Sequence, residues 1–171
     1  LNINYNDFPS IKKAVLQNGI KMVVVGPEEP LVNGIHDYFL GDSELKDVIV
    51  IGPQAMAAQL EGSKNFAKEF LNRHNIPTAA HKTFNKSQIS KANNFLESLS
   101  PPYVLKADGL AAGKGVVIAE NHESAIKTID EFMDKETHGQ AGKKIIIEEF
   151  LVGQELSFIV IVNGKEILPL A

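Results

Sequence analysis

The sequence contains no cysteine, which excludes disulfide bonds and thiolate metal sites. This lack fits a reducing compartment, and we expect a cytoplasmic location. No apolar run approaches the roughly 20 residues that a membrane-spanning helix needs, so no membrane partner is expected. Basic residues are not in excess either, because the formal net charge is −4 and the isoelectric point is about 5.7. We therefore expect no nucleic-acid partner.

The two ends lack the signals that open or close a chain. The first ten residues, LNINYNDFPS, contain neither an initiating methionine nor the basic and apolar regions of a signal peptide. The last seven, KEILPLA, stop within a strand pattern. We therefore expect the chain to be a fragment of a longer protein.

The first 60 residues alternate helical and strand patterns. Two apolar runs, IKMVVVG and DVIVIG, are each followed by proline, which is typical of buried parallel strands. Helical patterns lie in PSIKKAVLQNG, LVNGIHDYFLG and QAMAAQLEGSKNFAKEFLNRHNIP, with a break expected at EGS in the last. The order αβαβα predicts the final part of a doubly wound parallel sheet at residues 1–60.

The pattern after Pro77 predicts an antiparallel α+β domain. Its strands are TAAHKTF, YVLKA, GVVIA and KKIIIEEF, and its helices are SQISKANNFLESL, capped by Ser87, and residues 122–133. A final hairpin joins ELSFIVIV to KEILPLA through Asn163-Gly164, a strong hairpin signal. We place this second domain at residues 61–171.

The glycine-rich stretch KADGLAAGKG, residues 106–115, lies between two of these strands. It fails the P-loop pattern, because only three residues lie between Gly109 and Gly113 and Lys114 is followed by Gly115 instead of a hydroxyl side chain. It also fails the Rossmann pattern, since Ile118 stands where the third glycine belongs. Two interpretations remain: a glycine hairpin that closes over a triphosphate, or a solvent loop with an incidental lysine.

Two further features favour the first interpretation. Lys106 ends an apolar strand, where its ammonium would project from a half-buried surface unless it reaches water. Glu148 and Glu149 directly follow three isoleucines, and isolated buried charge is costly. This crossing would offer a flat apolar slot to a purine, with Glu155 near the ribose. Alternatively, both glutamates face solvent at a strand end.

Three segments, EGSKNFAKEFLNRHNIPTA, YVLKADGLAAGKGVVIA and IIIEEFLVGQELSFIV, resemble the ATP-grasp superfamily. Together with VVVGPEEPLVNGI and GPQAMAAQLEGSK, they resemble the phosphoribosylamine–glycine ligase family over residues 23–171. The resemblance implies a pre-ATP-grasp domain followed by an incomplete ATP-grasp domain with a small lid subdomain at about 78–145. It implies an ATP-dependent ligase of purine synthesis that joins glycine to 5-phosphoribosylamine through an acyl phosphate.

The resemblance also implies roles for single residues, beginning with the phosphate contacts. Lys64 and Lys106 match the two lysines that hold the ATP phosphates. The segment from Gly109 through Gly113 to Gly115 matches the lid, and Lys114 a further phosphate contact. Lys114→Ala should then weaken ATP binding or turnover.

The remaining assignments concern the base, the ribose and the second substrate. The adenine-binding crossing matches Glu148, Glu149, Phe150 and Leu151, and the ribose-binding carboxylate matches Glu155. The segment GPEEPLVNG matches the phosphoribosylamine contact, with Glu28, Pro30 and Leu31 nearest.

The family's Mg²⁺ or Mn²⁺ ligands are absent from this sequence, and the resemblance places them downstream of Ala171. The five histidines fit neither H-x-x-x-H nor H-x-H spacing, so no metal site is expected here. We therefore expect these 171 residues alone to have no catalytic turnover.

Two alternatives to this function remain: an ATP-grasp ligase or carboxylase for another carboxylate, and a non-catalytic nucleotide-binding module.

Overall fold

The computed structural model describes residues 1–109, 115–134 and 144–170. The two apolar runs before Gly-Pro form the short strands β1, Met22–Val24, and β2, Ile49–Ile51. They pair in parallel with Val23 opposite Val50, which confirms the predicted pairing. The helices of this region are α1 (Phe8–Gln17), α2 (Glu28–Val32), α3 (Ile35–Gly41) and α4 (Ala55–Gly62).

The helical pattern LVNGIHDYFLG falls in two helices rather than one. Gly34 separates α2 from α3 with a φ of 88°, a left-handed conformation that glycine adopts without a steric penalty. The apolar residues at helical spacing in this pattern nevertheless lie on one side, because both helices contribute them to one apolar core. Its buried members are Val15, Leu31, Ile35, Phe39, Leu45 and Ala58.

The expectation that β1 and β2 are buried on both faces is wrong for this chain. Val23 and Val50 pack against the helices, but Met22 is 51% exposed and Val24 is 69% exposed. Because successive side chains of a strand point to opposite faces, helices cover one face of this pair and leave the other open.

The second region begins at α5, Lys64–Arg73, which Ser63 separates from α4 as the break at EGS predicted. Its further elements are β3 (His81–Asn85), α6 (Ile89–Leu96), β4 (Tyr103–Ala107), β5 (Val116–Ala119), α7 (His122–Asp134) and β6 (Lys144–Glu149). The four strands form one sheet in the order β3-β6-β4-β5, with every neighbouring pair antiparallel. The predicted antiparallel sheet with helices is thus confirmed.

The two faces of this sheet differ sharply in what they carry. One face packs against α6 and α7 and carries the apolar core; its buried strand residues include Tyr103, Leu105, Ala107, Ile145 and Ile147. The period of two then places Lys106 and Glu148 on the opposite face. Strand register therefore gathers polar groups on the face that α6 and α7 do not cover.

Two local predictions need correction. Asn85, not Ser87, caps the helical segment after β3: its side chain accepts from the Ser87 amide in a capping box with Gln88, and a 3-10 turn precedes α6. The final hairpin forms, with β7 at Val160–Asn163 and β8 at Glu166–Pro169. Its two-residue turn is residues 164–165, because Asn163 still pairs with Glu166.

We find no helix in residues 1–109, 115–134 and 144–170 that combines the length and apolar character needed to cross a membrane.

Candidate functional site

A buried carboxylate with two ammonium partners lies on the polar face of the four-stranded sheet. Glu148 near the end of β6 is only 5% exposed, and its Oε2 lies 3.0 Å from Lys106 Nζ on the neighbouring strand β4. The same oxygen lies 3.0 Å from Lys68 Nζ on α5. Lys68 also donates to Thr78 Oγ1 at 2.8 Å. The solvent-facing alternative for Glu148 is therefore excluded.

The two glutamates of the IIIEEF segment have different surroundings. Glu148 Oε1 is buried and has no hydrogen-bond partner among the described residues. Glu149 is partly buried, and its Oε1 accepts from the Ala80 amide at 2.8 Å. Glu149 thus ties the end of β6 to the start of β3, while Glu148 keeps one oxygen without a partner.

A second polar contact joins the segment EGSK to the segment KADG. Asp108 accepts from Ser63 Oγ at 3.0 Å and from the Asn65 amide at 3.2 Å, at the N-terminus of α5. Lys64 Nζ donates to the Gly109 carbonyl at 2.7 Å. Lys64 is the first residue of α5, where the helix dipole disfavours a cation. Its hydrogen bond to the base of the glycine loop therefore favours a functional reason for a lysine at this position.

We expect Asp108→Ala to lower the free energy of unfolding by about 1–2 kcal/mol, because the substitution removes the acceptor for two donors at the start of α5. Asp108→Asn should lose less, since its amide oxygen still accepts one of these bonds. Urea denaturation of the three proteins measures the difference. An unchanged free energy of unfolding in Asp108→Ala would show that this acceptor does not stabilise the contact.

The glycine loop is described only at its two ends. The Ala107 amide donates to the carbonyl of Gly115 at 2.8 Å, which closes the β4–β5 hairpin, and Gly115 is itself buried. The antiparallel pairing of the two strands that flank the glycine-rich stretch is thus confirmed. Gly113 and Lys114 lie outside the described residues.

Apolar side chains remain exposed around the Lys106–Glu148 pair. Register places Ile118 of β5, which is 52% exposed, opposite Val104 on the face of the sheet that carries Lys106. Beyond β6, Phe150 and Leu151 are also exposed. Exposed apolar surface beside a buried charge cluster is typical of a ligand site. Glu155, the predicted ribose ligand, is exposed in the segment that follows.

A cleft of about 550 Å³ lies in the N-terminal region and contains one of the three residues predicted to bind phosphoribosylamine. Glu28 lines it, beside Tyr5 and Glu29. Glu29 accepts from Tyr5 Oη at 3.1 Å, and this bond to a carboxylate raises the pKa of Tyr5. Pro30 and Leu31 are buried, so their side chains belong to the core rather than to the cleft.

No group of three or more histidine, cysteine, aspartate or glutamate side chains lies close enough to hold a metal ion within the parts of the chain that are described. Glu148 is the most buried carboxylate of the site, and both of its neighbours are ammonium groups. Such surroundings repel a cation, so this cluster does not fit a Mg²⁺ site.

Sequence reasoning missed Lys68 and Asp108. Lys68 is four residues after Lys64 on α5, so both side chains lie on one face of the helix. That spacing was a usable signal. Asp108 follows Lys106 by two residues, which gave no sign that it accepts a hydrogen bond from Ser63, 45 residues earlier.

Two family profiles together match the whole chain. The profile described as the ATP-grasp (A) domain of phosphoribosylglycinamide synthetase matches residues 62–171, and that of its N domain matches residues 1–61. The phosphoribosylamine–glycine ligase of Vibrio cholerae is 43% identical over 171 residues, which is 100% of this chain and 38% of that protein. The Escherichia coli K12 ligase is 45% identical over 169 residues, or 99% of this chain and 38% of that protein.

Solved structures with a similar fold include a member of the same family. The crystal structure of phosphoribosylamine–glycine ligase from Thermotoga maritima matches 92% of this chain and 37% of that chain, at 31% identity and a TM-score of 0.71. N5-carboxyaminoimidazole synthase from Aspergillus clavatus, solved with ADP, matches 98% of this chain and 39% of that chain, at 17% identity and a TM-score of 0.68, and shares the fold. Although the chain spans about 38% of the length of the curated relatives named above, it belongs to the phosphoribosylglycinamide synthetase family.

Proposed function

We propose that the full-length gene product carrying these 171 residues joins glycine to 5-phosphoribosylamine at the expense of ATP, in the cytoplasm. The γ-phosphoryl group passes to a carboxylate oxygen of glycine, which gives glycyl phosphate and ADP. The amine of phosphoribosylamine then attacks the acyl carbon, loses a proton and displaces phosphate, giving glycinamide ribonucleotide. The observation that carries this proposal is the Asp108 contact, which brings the segments of Lys64 and Lys106 together at the base of the glycine loop.

In this proposal the chain supplies positive charge to the triphosphate. Lys64 and Lys106 contact phosphate oxygens, and ammonium groups fixed before the reaction stabilise charge as the phosphoryl group moves. Residues 109–115, including Gly113 and Lys114, close over the phosphates and exclude water. The Gly109 and Ala107 contacts described above fix both ends of that segment to α5 and β4.

The purine base occupies the apolar surface next to Glu148. Exposed Ile118, Phe150 and Leu151 supply the flat contact, Glu149 holds the end of β6 in place, and Glu155 binds the ribose hydroxyls. Burial of these side chains by the base would remove apolar surface from water, which favours binding.

The second substrate binds in the cleft of the N-terminal region. Glu28 contacts phosphoribosylamine, and Pro30 and Leu31 shape the cleft from within the core. This region is proposed to be the end of a doubly wound pre-ATP-grasp domain at residues 1–60. The ATP-grasp domain follows at residues 61–171, with its lid subdomain at about 78–145.

A divalent cation, Mg²⁺ or Mn²⁺, would neutralise the phosphates when it enters with ATP. We propose that its protein ligands lie downstream of Ala171, and we assign no step to it here.

ADP release by the full-length gene product tests this function, with ATP and Mg²⁺ present and glycine or phosphoribosylamine omitted in turn. We expect release that depends on both substrates. Release with another carboxylate but not with glycine would overturn the purine assignment. ATP binding with no release under any of these conditions would favour a non-catalytic nucleotide-binding module.

A further inference from the structure

Lys68 is the part of the charge cluster that the proposed function does not use. It lies on α5, its side chain is only 11% exposed, and its Nζ is held between Glu148 Oε2 at 3.0 Å and Thr78 Oγ1 at 2.8 Å. A buried ammonium with fixed partners on two sides is held in one place, because few rotamers satisfy both contacts. Lys106 differs, since its side chain is 26% exposed and can turn outward.

In the cluster of Lys68, Lys106 and Glu148, the carboxylate competes with a phosphate for Lys106. Lys106 is paired with Glu148, so it has to leave that carboxylate in order to contact a phosphate. Glu148 is 5% exposed, and its other oxygen has no partner in the described residues. A buried carboxylate left without a counter-ion is strongly unfavourable, so the departure of Lys106 needs a second cation at the same oxygen.

From this geometry, and resting on the proposed function, we propose that Lys68 is a positioning residue for nucleotide binding. It remains on Glu148 Oε2 as the permanent counter-ion, which frees Lys106 to exchange its carboxylate partner for a phosphate of ATP. Thr78 keeps Lys68 in place during that exchange. Lys68 itself contacts neither the phosphates nor the reacting atoms.

A double-mutant cycle on ATP affinity tests this role in the full-length gene product, with Mg²⁺ fixed. We expect Lys68→Met to raise the Kd for ATP by about tenfold or more, because Lys106 is then the sole cation on Glu148. In a Glu148→Gln background no carboxylate needs a counter-ion. There the same Lys68→Met substitution should change Kd by less than about twofold.

Two further variants separate this role from simple packing. Lys68→Arg keeps the charge and should retain most of the ATP affinity. Lys12→Met removes an ion-paired lysine in the other region, where Lys12 contacts Asp42 and Glu44, and should leave Kd unchanged. If Lys68→Met does not fold, Lys68→Gln gives the same cycle with a neutral polar side chain.

The outcomes distinguish this inference from the proposed function. An equal loss of affinity in the wild-type and Glu148→Gln backgrounds would show that Lys68 only supports packing, and would overturn the inference alone. If Lys68→Met weakens ATP binding only when Glu148 is present, but the unsubstituted protein has no ligase activity, the proposed function alone would be overturned. No ATP binding by the unsubstituted protein would overturn both.

Discussion

Lys106→Met in the full-length gene product should lower kcat/KM for ATP by about 10²- to 10³-fold, the range found when one preorganised charge-stabilising group is removed. The side chain has nearly the same length, so the apolar stem still packs on the sheet while the ammonium is lost. Glu148 keeps Lys68 as its counter-ion, and we therefore expect the variant to fold. Steady-state ADP release measures the rate, and circular dichroism checks the fold.

Lys82→Met provides the matched control for this substitution. Lys82 lies on β3 of the same sheet, but its register opposite Ile147 places it on the face that carries α6. Its Nζ lies 4.9 Å from the centre of the Phe95 ring, a cation–π contact on the opposite face of the sheet from Glu148. We expect kcat/KM to change by less than about threefold, because such a partly exposed contact contributes only modestly. Equal losses of kcat/KM in the two variants would mean that Lys106→Met acts by disturbing the sheet rather than by removing a contact with ATP.

Elements with a strong local signal were predictable from the sequence. The parallel pair β1 and β2 followed from two apolar runs before Gly-Pro, and the β7–β8 hairpin followed from the Asn163-Gly164 signal, although its turn is residues 164–165. The alternation of YVLKA also placed Lys106 away from the helices, because a period of two fixes the face of each side chain. The sequence signal for each of these strands lies within fewer than about ten consecutive residues.

Features that depend on distant segments were not predictable in the same way. The contact between Lys106 and Glu148 joins residues 42 apart, and it exists because β6 lies between β3 and β4 in the sheet. Nothing in either strand specifies that order. Lys68 on α5 also reaches this carboxylate, and the sequence of α5 alone does not indicate that contact. The capping by Asn85 was missed for a different reason, since Asn85 and Ser87 are both good caps two residues apart.

Because β6 lies inside the sheet, a substitution of its buried apolar side chains should strongly destabilise the fold. Ile147 lies on β6, between β3 and β4, and is fully buried against the helices. Ile147→Ala removes apolar atoms that the surrounding core cannot replace, so we expect the free energy of unfolding to fall by about 3–4 kcal/mol. Urea denaturation of the 171-residue chain measures this loss, provided that the slope against urea concentration is unchanged.

Ile118→Ala is the matched substitution at the edge of the same sheet. Ile118 lies on β5 and is 52% exposed, so the same change should lower the free energy of unfolding by less than about 1 kcal/mol. A large difference between the two variants would locate the core of the sheet at β6, the strand that also carries Glu148. Similar losses would mean that β6 is not enclosed as described.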